Sequence, residues 1–125
     1  MKRIILAITG ASGSIFGVRL LEELLKVAEV HLAVSSNTFS IIKDETGIDW
    51  SADTENKIRK HFNTKRLFFY EDKFMEAPIA SGSFKTDGML VVPCSMKTLS
   101  GIANGYANNL IERAADVIIK EGRPF

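Results

Sequence analysis

Ile4-Ile5-Leu6-Ala7-Ile8 is apolar without alternation and runs straight into Thr9-Gly10-Ala11-Ser12-Gly13-Ser14. A strand with one wet face alternates polar and apolar residues. An unbroken, β-branched run needs cover on both faces, which a parallel sheet flanked by helices provides. After the glycine turn, Ile15, Phe16, Val18, Leu20, Leu21, Leu24 and Leu25 form a helical stripe ending near Val27. Strand, glycine turn and helix in that order open an α/β fold.

The unit recurs along the chain. Val30 to Val34 predicts a second strand, running into Ser35-Ser36-Asn37-Thr38, and Phe39, Ile41 and Ile42 predict a short helix closed by Gly47. Residues 48–66 are the most charged and least periodic; a helix is expected over 55–61, and no chemistry. Leu67 to Tyr70 reads as a short strand, 77–84 as a small-residue connection, and Met89 to Val92 as a third strong strand stopping at Pro93-Cys94-Ser95. Helices are expected over 99–104 and 110–120, separated by Gly105. The fold class is therefore α/β, a Rossmann-like doubly wound parallel sheet in three α/β/α layers, within one domain over residues 1–125. Right-handed crossovers collect the strand C-termini along one edge, where ligands bind. The polar clusters at 9–14, 35–38 and 93–98 should meet there.

Composition narrows the function. With 16 Lys+Arg against 15 Asp+Glu, the net charge of +1 leaves no electrostatic footprint of a nucleic-acid partner. The single cysteine, Cys94, cannot form an intramolecular disulfide, and no Cys/His spacing suits zinc, so no metal is expected and the chain reads as cytoplasmic. The opening apolar run is shorter than the roughly 7 to 15 residues of a signal-peptide core. No stretch nears the ~20 apolar residues of a membrane span, so no membrane partner is expected.

Gly10, Gly13 and Gly17 stand in a GxxGxxxG pattern between strand and helix. Such a turn brings backbone N–H groups and the positive end of a helix to an anion. The spacing departs from the dinucleotide GxGxxG, and Ser35, Ser36 and Asn37 replace the acidic residue that would hold an adenosine ribose. Hydroxyls and amides there suit a phosphate monoester or a flavin edge, with a nicotinamide site or a tight turn without ligand as the other readings. Pro93-Cys94-Ser95-Met96-Lys97-Thr98 is a second anion-binding candidate, although Lys97 alone could be a surface lysine and Cys94 reads as an inert buried thiol. Ser81-Gly82-Ser83-Phe84 and Phe16 place aromatics at the same expected edge, as core or as a stacking platform. Arg113 and Lys120, seven apart on the last helix, share a face that could be a solvated basic stripe. Glu45 is a surface carboxylate unless the fold brings it to the site.

These motifs resemble a known family. Met1-Lys2-Arg3-Ile4 through Gly13, Ser81-Gly82-Ser83-Phe84, the run from Pro93 to Ala103, and Arg113-Ala114-Ala115-Asp116-Val117 are similar to flavin prenyltransferases of the UbiX type, formerly labelled aromatic-acid or polyprenyl-hydroxybenzoate decarboxylases. The resemblance implies transfer of a dimethylallyl group from dimethylallyl phosphate to reduced FMN, closing a fourth ring between N5 and C6, with the product serving a partner decarboxylase. It implies FMN contacts from Gly10, Ala11, Ser12 and Ser35 and from Ser95, Met96, Lys97 and Thr98. It places Glu45, Arg113 and Lys120 at the prenyl phosphate, the last two across subunit contacts of a large homo-oligomer, a dodecamer by resemblance. Lys97, Arg113 and Lys120 then form a local cationic cluster directed at a small phosphate. Flavin-dependent cysteine decarboxylases, whose corresponding motif lacks this lysine, and a non-catalytic FMN-binding module are the alternatives. Family members continue after the Arg-Pro segment with a further strand, an Arg-Glu-Thr-Pro motif, and later a tyrosine and a lysine on the prenyl phosphate. These lie outside this sequence, so the resemblance implies a longer active parent.

Overall fold

The computed structural model describes residues 1–125. Four parallel strands, β1 (Lys2–Ile8), β2 (Ala28–Val34), β3 (Leu67–Glu71) and β4 (Gly88–Val91), lie in the order β3-β2-β1-β4. Leu6 pairs with Leu32 on one side and Leu90 on the other. The helices are α1 (Ser14–Leu24), α2 (Phe39–Thr46), α3 (Thr54–Phe62), α4 (Met96–Ala103) and α5 (Leu110–Lys120). None is long and apolar enough to cross a membrane.

The unbroken run in β1 has the expected consequence. Leu6 and Ile8 point to the face covered by α1, α2 and α3, where they pack with Val18, Leu21, Ile42 and Ile58. Ile5 and Ala7 point to the opposite face, under Leu110, Ala114 and Ile118 of α5 and Ile79 of a 3-10 turn at Pro78–Ala80. Truncating a buried leucine or isoleucine in either cluster to alanine costs about 2–5 kcal/mol. Trp50, inside the charged stretch, is fully buried and carries α3 onto the first of these clusters.

Three expectations need correction. The helix expected over 99–104 starts at Met96, because the Ser95 hydroxyl accepts from the Thr98 N–H (3.1 Å) and caps the turn before the apolar pattern begins at Leu99. Phe84, expected at the ligand edge as core or stacking platform, lies away from that edge, and the core reading holds. Its ring meets His31 edge-on at 5.1 Å, and the Arg3 guanidinium lies 4.4 Å above it. The β3–β4 crossover must return from the C-terminal edge of the sheet to its N-terminal edge, so by residue 84 it has crossed the sheet's depth. The helix expected to reach Val27 also stops at Leu24.

His31 is buried between the Glu29 carboxylate at Nε2 and the Tyr70 hydroxyl at Nδ1, both at 2.8 Å. A carboxylate only accepts, so Nε2 carries the proton and Nδ1 accepts from the tyrosine. Burial pushes the imidazole below its ordinary value of 6.5, with the Glu29 hydrogen bond partly opposing it. The folded state therefore favours neutral His31, and this contribution is full above about pH 6.5 and is lost as pH falls. Urea midpoints should decline from pH 7.5 to 5.5, and less steeply in His31→Gln; identical slopes would refute the assignment.

Gly17 fixes how closely α1 sits on the sheet. A Cβ there would overlap the Val92 carbonyl and press on Ile8. Backbone cannot yield as a side-chain tip does, so Gly17→Ala should destabilise by about 1–3 kcal/mol in denaturant titrations.

Candidate functional site at the switch point

The strand order reverses between β1 and β4, and doubly wound sheets bind ligands in the crevice beyond such a point. Here one side chain ties the end of β1 to the turn after β4. Buried Thr9 donates through Oγ1 to the Pro93 carbonyl (2.7 Å) and accepts from the Ser95 N–H (2.7 Å), while its own N–H donates to the same carbonyl (3.2 Å). Ser35 N–H donates to Ile8 O (3.0 Å), drawing the end of β2 to the same place. The three polar clusters thus meet as the topology requires.

Between the 35–38 and 93–98 clusters lies a cleft of about 270 Å3 lined wholly by polar residues, including Ser35, Asn37, Ser95, Lys97, Thr98 and Glu112. Ser35 Oγ donates to Asn37 Oδ1 (3.0 Å) and is bonded to the Thr38 hydroxyl. The first N–H groups of α4, at Met96 and Lys97, have no acceptor within the chain and open beside the Lys97 ammonium. Gly10 packs so closely on Asn37 that a Cβ would touch its amide at 3.1 Å. Ser12 is exposed at the tip of the first turn, and Phe16 is 69% exposed beyond it.

Glu45 reaches the start of α1. Its carboxylate accepts from the N–H of Gly13 (3.1 Å) and from the N–H and hydroxyl of Ser14 (2.8 and 2.6 Å). The Ser14 hydroxyl, then the two backbone N–H groups, hold its carboxyl below the ordinary carboxylate range. The positive end of α1 is thus satisfied by a side chain of its own chain. At the start of α1 the Gly13 and Ser14 N–H groups are thus taken, whereas those of Met96 and Lys97 at the start of α4 are free.

Lys97, Arg113 and Lys120 do not converge within one chain. Lys97 lines the cleft, whereas Arg113 Nε donates to Ala80 O (3.1 Å) on the flank of α5. Lys120 stands in the last turn of α5, about 10 Å further along the helix axis and towards the opposite edge of the sheet. Sequence reasoning missed Asp72, Asn109 and Glu112. Asp72 accepts from the Ser36 N–H and hydroxyl (2.9 and 2.6 Å), and Asn109 Oδ1 accepts from the Glu112 N–H (2.9 Å). The Asn109-x-x-Glu112 spacing was a legible helix-start signal. Nothing local marked Asp72, whose place depends on β3 lying beside β2. Cys94 is partly exposed, and burial pushes its thiol up, away from thiolate reactivity.

A parallel α/β sheet with hydroxyl-rich strand ends around a polar cleft at its switch point defines a nucleotide- or flavin-binding class of domain. The chain belongs to the Flavoprotein family, whose model matches residues 1–125. It is 49% identical over 121 residues to the flavin prenyltransferase UbiX of Methanocaldococcus jannaschii, covering 97% of this chain and 61% of that protein. It is 42% identical over 127 residues to the UbiX of Escherichia coli K12, covering 100% of this chain and 62% of that protein. Among solved structures, AnUbiX (PadA1) in complex with FMN and dimethylallyl pyrophosphate aligns with a TM-score of 0.85 at 40% identity, over 98% of this chain and 61% of that one. The dodecameric FMN-dependent UbiX-like decarboxylase from Escherichia coli O157:H7 aligns at 0.84 and 40%, over 98% of this chain and 65% of that one. The chain thus spans about six-tenths of the length of these curated relatives.

Thr9→Val keeps the shape but strands the Ser95 N–H and loosens the 93–98 turn. It should cost about 1–3 kcal/mol in denaturant titrations, and Thr9→Ser should recover most of it.

Proposed function

We propose that this chain is the FMN-binding part of a cytoplasmic flavin prenyltransferase, which transfers a dimethylallyl group from dimethylallyl phosphate to reduced FMN and delivers the product to a partner decarboxylase. The observation that carries this reading is the wholly polar cleft at the switch point, to which the 93–103 segment that resembles the prenyltransferases contributes Ser95, Lys97 and Thr98. The donor set fits FMN. Gly10, Ala11, Ser12 and Ser35, with the turn of Ser95, Met96, Lys97 and Thr98, offer hydroxyls, backbone N–H groups and one cation to a phosphate and its polyol arm. Exposed Phe16 and Met96 offer apolar surface to a ring at the same edge. Reduced FMN, when bound, supplies the electron-rich N5 and C6 atoms that take up the allyl group.

The chain's own residues prepare the site for that transfer. Glu45 orders the turn at Gly13 and Ser14, which follows the proposed FMN contacts Gly10, Ala11 and Ser12. Ionising an allylic phosphate requires fixed cations at its leaving oxygens, in a place shielded from water. Arg113 and Lys120 are exposed and in this reading serve the prenyl phosphate of a neighbouring copy in a homo-oligomer. A single chain then holds FMN but turns over only in the assembled, longer protein.

The test is direct. Full-length protein mixed with FMN, a reductant and dimethylallyl phosphate, or in parallel the diphosphate, should yield a flavin heavier by one C5 prenyl unit in mass spectrometry. Unchanged flavin mass with both donors would sink the reading. The dispersed positions of Lys97, Arg113 and Lys120 favour a second reading, a module that binds FMN without catalysis. Adduct formation by the 125-residue chain alone would exclude that second reading.

A further inference from the structure

One group in the cleft has no task in the account above. Glu112 lies in the first turn of α5, where the Asn109 cap fixes its backbone and so the direction in which its side chain leaves the helix. The residue is only 7% exposed. No donor of this chain reaches its carboxylate, and no cation pairs with it. One oxygen packs on Gly101, where a Cβ would overlap it, and the carboxylate borders the cleft. Asp72, equally buried on the same cleft, differs in that Ser36 satisfies both its oxygens. Asp72 is therefore explained by the fold, and Glu112 is not.

The carboxylate oxygens keep contact with the cleft, so an acceptor that the chain's own donors leave unused is open to a donor arriving from outside. The chemistry of that donor is restricted. An anion would be repelled. A metal ion would find one free carboxylate, because Asp72 is already engaged. The cleft has no apolar wall to seat a flat ring. Neutral hydroxyl groups remain, and a polyol joined to a phosphate uses both halves of the cleft: phosphate at Lys97 and the α4 N–H groups, hydroxyls at Glu112.

We propose that Glu112 is a ligand-contact residue that accepts hydrogen bonds from the ribityl hydroxyls of FMN. This rests on the FMN reading above and assigns to the carboxylate the arm between ring and phosphate. Hydrogen bonds to a charged acceptor are stronger than neutral ones, so loss of the contact is legible in affinity.

The experiment titrates the full-length protein with FMN and with its 2′-, 3′- and 4′-deoxyribityl analogues, following flavin fluorescence, in wild type, Glu112→Gln and Glu112→Leu. Glu112→Leu should weaken FMN about 10- to 100-fold, and Glu112→Gln, which keeps a neutral acceptor, by less. At least one deoxy analogue should lose little on substitution, because the partner hydroxyl is already gone. Equal losses for FMN and all three analogues, or unchanged FMN affinity in Glu112→Leu, would overturn the proposal while leaving the functional reading standing. If Glu112→Leu does not fold, the Glu112→Gln series carries the same comparison. A wild type that binds no FMN overturns the functional reading and this inference with it.

Discussion

Burial of β1 on both faces is the constraint from which the rest follows. Five consecutive apolar residues in one strand leave no wet face, so helices must cover both sides and the neighbouring strands must be parallel. Parallel neighbours need crossovers, and crossovers of one hand put every strand C-terminus on one edge. The chain fills the α1–α3 side first, moving outward through β2 and β3, and then crosses to β4 on the other side of β1. That reversal creates the crevice. Thr9 stands where it opens because it is the first residue after the buried run, and its hydroxyl joins the two strand ends.

Placement of charge in that crevice is more discriminating than the net charge of the chain. The N-termini of two helices reach the edge, but they are not equivalent. Glu45 neutralises the end of α1, whereas the end of α4 keeps free N–H groups and a lysine. A phosphate is therefore drawn to the α4 side by the local field, although both turns look like anion cradles in sequence. The carboxylates divide in the same way, Asp72 being saturated by Ser36 and Glu112 left for a ligand.

Much of this was legible in sequence because its causes are local. Gly47 closes α2 at φ 79°, as a C-terminal glycine should, and the Ile4–Ile8 run announced a central parallel strand. The meeting of residues 9–14, 35–38 and 93–98 followed from topology once the strands were recognised. Features that depend on depth or on distant partners were hidden. Phe84 looked like a ligand-edge aromatic because a small-residue loop gives no measure of how far it travels across a sheet. Trp50 is buried in the most charged stretch, where no periodicity marks it. Glu112 was hidden by its neighbour: Arg113, one residue on, carries the family resemblance, and a 100° step around the helix separates an exposed cation from a buried acceptor.

That helical step also bears on how the cations could act. Arg113 and Lys120 share one exposed face of α5, and Glu112 faces inward to the cleft. The helix starts beside Asp72 at the ligand edge and ends beside Gly82 and Pro124 at the opposite edge, so it runs against the strands. Lys120, in the last turn, therefore stands at the far end of the helix from the cleft that Lys97 lines. A phosphate gripped by all three cations would thus need surfaces from more than one copy. In that arrangement the inward side of α5 would serve the ligand of its own chain and the outward side that of a neighbour, dividing binding from ionisation between subunits.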